Sequence, residues 1–192
     1  MRPTVVVSSR TGRFGSIALA VLGLLLLLLE LVTGGPWAAL RALPWLGLVV
    51  LVGFLLWGSG RLVLADELVL DNPFRRVHLP WWGVDQASAR WGLEVRAQGR
   101  VWKAWAAPAR GGLRTTHGPR AAQATPVPDY RTATPVVLRL DLPAAAAARL
   151  VEEQAAARAT DARTGETGVQ VRWERLVLLL VLLAGCAATI LL

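Results

Sequence analysis

The side chains able to do chemistry are sparse in this chain. His78 and His117 stand alone, with no HxxH or HExxH spacing and no paired carboxylates beside them. A metal centre would need such a ligand set. Ser59 and Ser88 lie outside any nucleophile motif, and Cys186 sits in an apolar run, so nucleophilic catalysis has no base-and-nucleophile pair to start from. One cysteine also forbids an internal disulfide, a thiolate zinc site or a CxxC redox pair. Neither a P-loop nor GxGxxG is present. The residues predict a protein without catalytic activity, metal or cofactor.

What remains is charge. The chain of 192 residues carries a formal charge of +8 while being 54% hydrophobic, and Lys103 is its sole lysine. The dominance of arginine, alanine and leucine reads as coding bias towards GC-rich codons rather than a role for arginine. In "FRRVHLPWWGVDQ" (74–86), Arg75 and Arg76 flank a turn. Between 108 and 139, Arg110, Arg114, Arg120, Arg131 and Arg139 face only Asp129. A tethered segment of this kind is drawn to an anionic leaflet by roughly 1 kcal/mol per basic residue. The bland alternative is a solvated loop and turn. Nucleic acid is a poorer partner, because the charge is modest and no recognition motif accompanies it.

These residues are framed by greasy segments. "SIALAVLGLLLLLLELVT" (16–33) is long enough to cross about 30 Å of hydrocarbon as a helix. "GGP" (34–36) breaks it, and "WAALRALPWLGLVVLVGFLLW" (37–57) makes a second run. "LVLLLVLLAGCAATILL" (176–192) makes a third. In a lipid bilayer the backbone must satisfy itself, so all three are expected as helices. A cleaved signal peptide has a shorter apolar region than the first run and is not followed by a second span, so a membrane hairpin is the better reading. Arg2, Arg10 and Arg13 precede the first run, Arg61, Arg75 and Arg76 follow the second, and Arg172 and Arg175 abut the third. The positive-inside rule then places the N-terminus and segment 58–175 in the cytoplasm. Within the hairpin, Glu30 and Arg41 are expected as a pair near its outer end, or with Arg41 snorkelling to the interface. Trp37 and Trp57 suit interfacial positions.

The segment between the spans reads as β first and helix last. "RLVLADELVL" (61–70) and "RRVHLPWW" (75–82) flank the turn "DNPF". If 71–74 form the loop, Leu70 faces Arg75 and Leu68 faces Val77; Leu68, Leu70, Val77, Leu79 and Trp81 then share the buried side. Glu67, Arg76 and His78 occupy the other. "WGLEVRA" (91–97) and "RVWKAWA" (100–106) meet across Gln98-Gly99. Here Trp91, Leu93 and Val95 face Ala106, Ala104 and Trp102, while Glu94 opposes Lys103 and Arg96 opposes Val101. Residues 108–134 read as a long loop and 135–142 as a strand. The helix 141–159 is expected with Asp141 as cap, Pro143 in its first turn and Arg149 paired to Glu152 or Glu153. The predicted core is thus Leu68, Val77, Leu79, Trp81, Trp91, Leu93, Val95 and Trp102.

With two hairpins, a terminal helix and flanking spans, the chain resembles the membrane-anchored PH domain-containing proteins of actinobacteria, of the low-molecular-weight-antigen type. The resemblance rests on "LVLDNPFRRVHLPWWGVD" (68–85), "VWKAWAAP" (101–108) and "GVQVRWE" (168–174). It implies an α+β membrane protein: a PH-like antiparallel β-barrel or sheet closed by a C-terminal helix, with three transmembrane helices. A PH fold has seven strands, of which the sequence places four and a fifth at 135–142. The expected organisation is a cytoplasmic tail (1–15), a membrane hairpin (16–57), a PH-like domain (58–160), a linker with a short strand (161–175) and a final span (176–192). The implied function is a non-catalytic module at the inner face of the plasma membrane, presenting its β domain to a protein partner. Two other readings stand beside it. One is an anionic-lipid reader using Arg75, Arg76, Arg110, Arg114 and Arg120; the other is a small transporter or channel subunit, which would need more polar groups at depth than Glu30 and Arg41.

Overall fold

The computed structural model describes residues 4–89, 92–106, 138–158 and 165–191. The chain divides into two compact units, one built from Met1–Ser9 with Gly60–Gln170 and the other from Arg10–Ser59 with Val171–Leu192.

The first unit is α+β. Its strands are β1 (Val5–Val7), β2 (Arg61–Leu64), β3 (Leu68–Asp71), β4 (Arg75–Leu79), β5 (Val84–Ala89), β6 (Leu93–Ala97), β7 (Arg100–Ala104), β8 (Leu138–Leu140) and β9 (Gly168–Val171). Among the described residues they form a six-stranded sheet, ordered β8-β1-β2-β3-β4-β9, and a three-stranded sheet, β5-β6-β7. The pairings given by these registers are antiparallel except β1 with β8, which run parallel. Period-two burial makes the core: Val5, Val7, Leu62, Leu64, Leu68, Leu70, Val77 and Leu79 from one sheet meet Leu93, Val95 and Trp102 from the other. Helix α2 (Ala144–Ala157) packs on β5 and β6, burying Ala144, Ala146, Ala147, Ala148, Leu150 and Val151. Alanines on that face let the helix axis approach the sheet closely.

Several expectations change in detail. The stretch 61–70 is two strands, not one, because Ala65 N–H donates to Glu67 O at 3.1 Å and folds the chain back. Leu62, Leu64, Leu68 and Leu70 keep the even-numbered period on both sides of that bend, which is why it reads as one strand. The β3–β4 register is two residues from the one expected: Leu68 opposes Leu79 and Leu70 opposes Val77. Asn72 N–H donates to Arg75 O at 2.9 Å, so the turn is tighter and β3 extends to Asp71. A slip of two leaves every side chain on its expected face, so the same residues are buried. The second hairpin has the expected register throughout 93–104, with Gln98 (φ 49°) and Gly99 (φ 73°) both in the left-handed region that a type I′ turn demands. The expected Trp91–Ala106 pair lies outside the described residues, as do 108–134.

Two elements escape the sequence reading. Val5–Val7 belong to a stretch read as a tail, yet β1 lies between β8 and β2 with Val5 and Val7 buried. β5 also goes unforeseen, since "VDQASA" is too polar to signal a strand. In α2 the capping position falls to Pro143, in an extended conformation without a side-chain cap, rather than to Asp141. The expected ion pairs of Arg149 do not form; Glu152 Oε1 instead accepts from Ala87 N–H at 3.3 Å.

The second unit is helical. Helix α1 (Arg10–Gly53) is interrupted at Gly35, whose φ of 77° and ψ of −175° suit only glycine, and passes into a π-turn at Phe54–Gly58. Its two arms lie against each other: Leu19 meets Gly53, and a Cβ on Gly23 would come within 2.9 Å of Val50 Cγ2. Helix α3 (Trp173–Leu191) packs on the second arm, where a Cβ on Gly47 would lie 3.1 Å from Leu182 and one on Gly185 3.0 Å from Pro44. Glycines at these crossings permit the close backbone approach that membrane helices use. Trp45 Nε1–H donates to Thr189 Oγ1 at 3.0 Å, and Thr189 Oγ1 to Cys186 O at 2.8 Å. Arg10–Gly58 and Trp173–Leu191 are long and apolar enough to cross a membrane. Glu30 and Arg41 are both exposed and form no ion pair; the Glu30 carboxylate lies alongside Gly34, one turn on in its own arm.

Candidate interaction surface

The turn between β3 and β4 carries the basic pair, and its geometry separates the two arginines. Arg76 Nη2 lies 3.2 Å from Asp71 Oδ2, a carboxylate that is itself buried. Antiparallel pairing places Asp71 directly opposite Arg76, so this ion pair belongs to the ladder. Arg75 points elsewhere: its guanidinium carbon lies 5.8 Å from the centroid of the Trp102 ring. That is within cation–π reach, worth about 0.5–1 kcal/mol at an exposed site. Arg75 and Phe74 are the exposed side chains of the turn.

Asn72 fixes this turn to the second sheet. It is only 4% exposed. Its Nδ2 donates to Lys103 O at 2.8 Å, and its Oδ1 accepts from Trp105 N–H at 3.0 Å. One side-chain amide therefore supplies both partners that a neighbouring strand would offer the backbone at the end of β7. Gly60 passes so close to Trp105 that a Cβ there would fall 2.6 Å from its carbonyl carbon. The turn is thereby tied to the end of β7, and Phe74, Arg75 and Trp105 are exposed at this junction.

The Pro-Trp-Trp segment forms the other notable feature. After Pro80 the chain makes a single 3-10 turn, Trp81–Gly83. Trp81 is buried, and its Nε1–H donates to Ala65 O at 3.0 Å. The same carbonyl accepts from Arg158 Nη1. The guanidinium of Arg158 stacks 4.5 Å from the Trp81 centroid, and Arg158 is 4% exposed. Trp82, by contrast, is 37% exposed. It faces a cavity of about 360 Å³ lined also by Trp81, Val84, Asp85, Gln86, Glu152, Ala155 and Ala156.

Of the core predicted from sequence, Leu68, Val77, Leu79, Trp81, Leu93, Val95 and Trp102 are buried together; Trp91 lies outside the described residues. So do Arg110, Arg114 and Arg120, and only Arg75 and Arg76 of the candidate contact residues can be placed. His78 Nδ1 lies 2.5 Å from Glu67 Oε1 on the outward face of the β3–β4 hairpin, with Gly168 of β9 beside it in the same sheet. Among the described residues no group of three or more His, Cys, Asp or Glu is placed to hold a metal ion. The sequence reading missed Asn72, Arg158 and Glu152. The Asn-Pro dipeptide signals a turn, but nothing in one sequence shows that its amide will reach another sheet. Comparison of the chain with family models, with characterised proteins and with solved structures gives no match.

Proposed function

We propose that this chain is a non-catalytic, membrane-anchored interaction module of PH-like architecture, held at the inner face of the plasma membrane by three spans. The observation that carries the reading is the contrast between the two units. The α+β unit closes a core of its own, whereas α1 and α3 leave leucines, valines and isoleucines outward on every side, among them Leu24, Leu25, Leu29, Val49, Leu180 and Val181. A helix apolar all round belongs in lipid. The fold-back at Gly35 supports three crossings rather than two. The 49 residues from Arg10 to Gly58 would make a rod of roughly 70 Å if straight, while each arm alone comes near the ~30 Å of hydrocarbon. Arg10, Arg13, Arg172 and Arg175 lie at the ends that the positive-inside rule turns towards the cytoplasm.

The partner-facing surface in this proposal is the β3–β4 turn, with Phe74 and Arg75 outward and Trp105 beside the Asn72 clamp. Aromatic and arginine side chains on a rigid support are what protein interfaces favour. A lipid-reading role for the arginine pair is less well supported, because Asp71 already offsets Arg76 and leaves Arg75 as the cation of the turn.

The test has two arms. On a Cys186→Ala background, a single cysteine at position 74 is challenged with a membrane-impermeant maleimide in sealed protoplasts and in inverted vesicles. Labelling only in inverted vesicles is the expected result; labelling in sealed protoplasts overturns the topology. A photo-crosslinker at position 74 in cells should then give one discrete protein adduct, and a lipid adduct alone would overturn the protein-partner reading.

A further inference from the structure

We infer that the cleft between β5 and α2 is a binding site for an organic cation bearing N–H groups, a guanidinium or primary ammonium on an apolar stem. The inference goes beyond the proposed function, because it concerns a different face of the α+β unit and holds whichever side of the membrane that unit occupies.

Four observations converge. First, the cleft is open to solvent along one side and its volume of about 360 Å³ falls at the lower end of the range for small-molecule sites, about 300 to 1,000 Å³. Second, its charge opposes that of the chain. Asp85 and Glu152 line it in a protein of net +8, none of the described lining residues is basic, the Arg158 guanidinium being stacked on Trp81, and neither carboxylate has an ion-pair partner among the described residues. Glu152 is held in place by the Ala87 N–H on Oε1, leaving Oε2 without a hydrogen-bond partner among the described residues.

Third, Asp85 sits at a register shift in the β5–β6 ladder. Val84 pairs with Ala97 and Gln86 with Arg96, so Asp85 is the extra residue in the ladder. A bulge costs ladder hydrogen bonds and re-aims a side chain, which is why bulges gather beside binding sites. Here Val84, Asp85 and Gln86, the residues spanning the irregularity, all line the cavity. Fourth, the aromatic wall suits a cation. Arg158 already stacks a guanidinium on Trp81 at 4.5 Å, and Trp82, which is 37% exposed, lines the same cleft. An indole face attracts a cation, and the carboxylates lining the same cleft can accept its N–H groups. Ala155 and Ala156 leave room for an apolar stem.

The ligand chemistry has two sources, a free small molecule or an arginine or lysine side chain, and the experiment separates them. The full chain in lipid nanodiscs is titrated calorimetrically with butylguanidinium and butylammonium, with butanol as the neutral control. Saturable binding of the cations and none of butanol is expected. Asp85→Asn with Glu152→Gln should weaken binding at least ~10-fold while the near-ultraviolet circular dichroism stays unchanged, since the new side-chain amide still supplies the oxygen that Ala87 N–H needs. Trp82→Ala should weaken it by about 5-fold or more, the scale of a partly desolvated cation–π contact. Retention of affinity in a Gly-Arg-Gly amide peptide would point to a protein side chain as the natural occupant, and binding of the free cations alone to a small molecule; both support the site. Absence of saturable cation binding, equal binding of butanol, or full affinity in the double carboxylate variant would overturn it.

Discussion

Replacing Asn72 by alanine removes two hydrogen bonds that join the two sheets, to Lys103 O at 2.8 Å and from Trp105 N–H at 3.0 Å. Each has a net value of about 1 kcal/mol, and stranding the backbone partners adds a further ~1 kcal/mol in a part-buried site, so a loss of about 3 kcal/mol follows. A loss of that size corresponds to roughly a hundredfold rise in the opening equilibrium of the junction. Hydrogen exchange of the full chain in nanodiscs, followed by mass spectrometry on peptides covering 100–106, reads this locally and is not confounded by the helical unit. Protection of the Trp105 amide should fall by about two orders of magnitude, while α2 changes little. Asn72→Asp sharpens the test. It retains an acceptor for Trp105 N–H but turns a carboxylate oxygen towards the Lys103 carbonyl, so it should be no milder than alanine. If both variants exchange within about threefold of the parent chain, the side-chain bridge is not what holds the sheets together at this point.

Other substitutions probe the remaining supports. Arg158→Lys keeps the charge but loses the planar stack on Trp81, and should cost about 2 kcal/mol in the α+β unit, measured by thermal unfolding followed by near-ultraviolet circular dichroism. Unchanged stability with lysine would mean that charge alone matters there. Gly99→Val places a β-branched residue at φ 73° in the hairpin turn and should cost on the order of 1–3 kcal/mol, whereas Gln98→Asn, better suited to φ 49°, should stabilise slightly in the same assay. Gly35→Val should break the fold-back of α1, so that cysteines placed at Gly23 and Val50 lose their disulfide cross-linking in membranes; retained cross-linking would show that the bend does not depend on Gly35.

The parts of this fold that could be read from sequence are those in which local and long-range preferences agree. In the β6–β7 hairpin, the turn chemistry of Gln98-Gly99, the inward Leu93, Val95 and Trp102, and the Glu94–Lys103 pair at 3.6 Å all select one register. The β3–β4 hairpin lacks that redundancy. Its alternation fixes which face is buried but is blind to a shift of two, and only the closure at Asn72 decides between registers. β1 is a stronger case. Three valines before a long apolar helix carry no sign that they will lie between β2 and β8, because the pairing partners are more than fifty residues away. The interaction surface and the cleft are of that same long-range kind. Asn72 reaches Lys103 and Trp105; Glu152 reaches Ala87. Each contact uses a side chain whose local role looks complete, a turn former in one case and a solvated helix position in the other. The structure shows where local preference is overridden: a polar asparagine is buried at a turn, and an aspartate falls out of register in a strand. Such departures from local preference concentrate where a structure needs something other than stability, which is why the junction at Asn72 and the cleft at Asp85 are the places to test first.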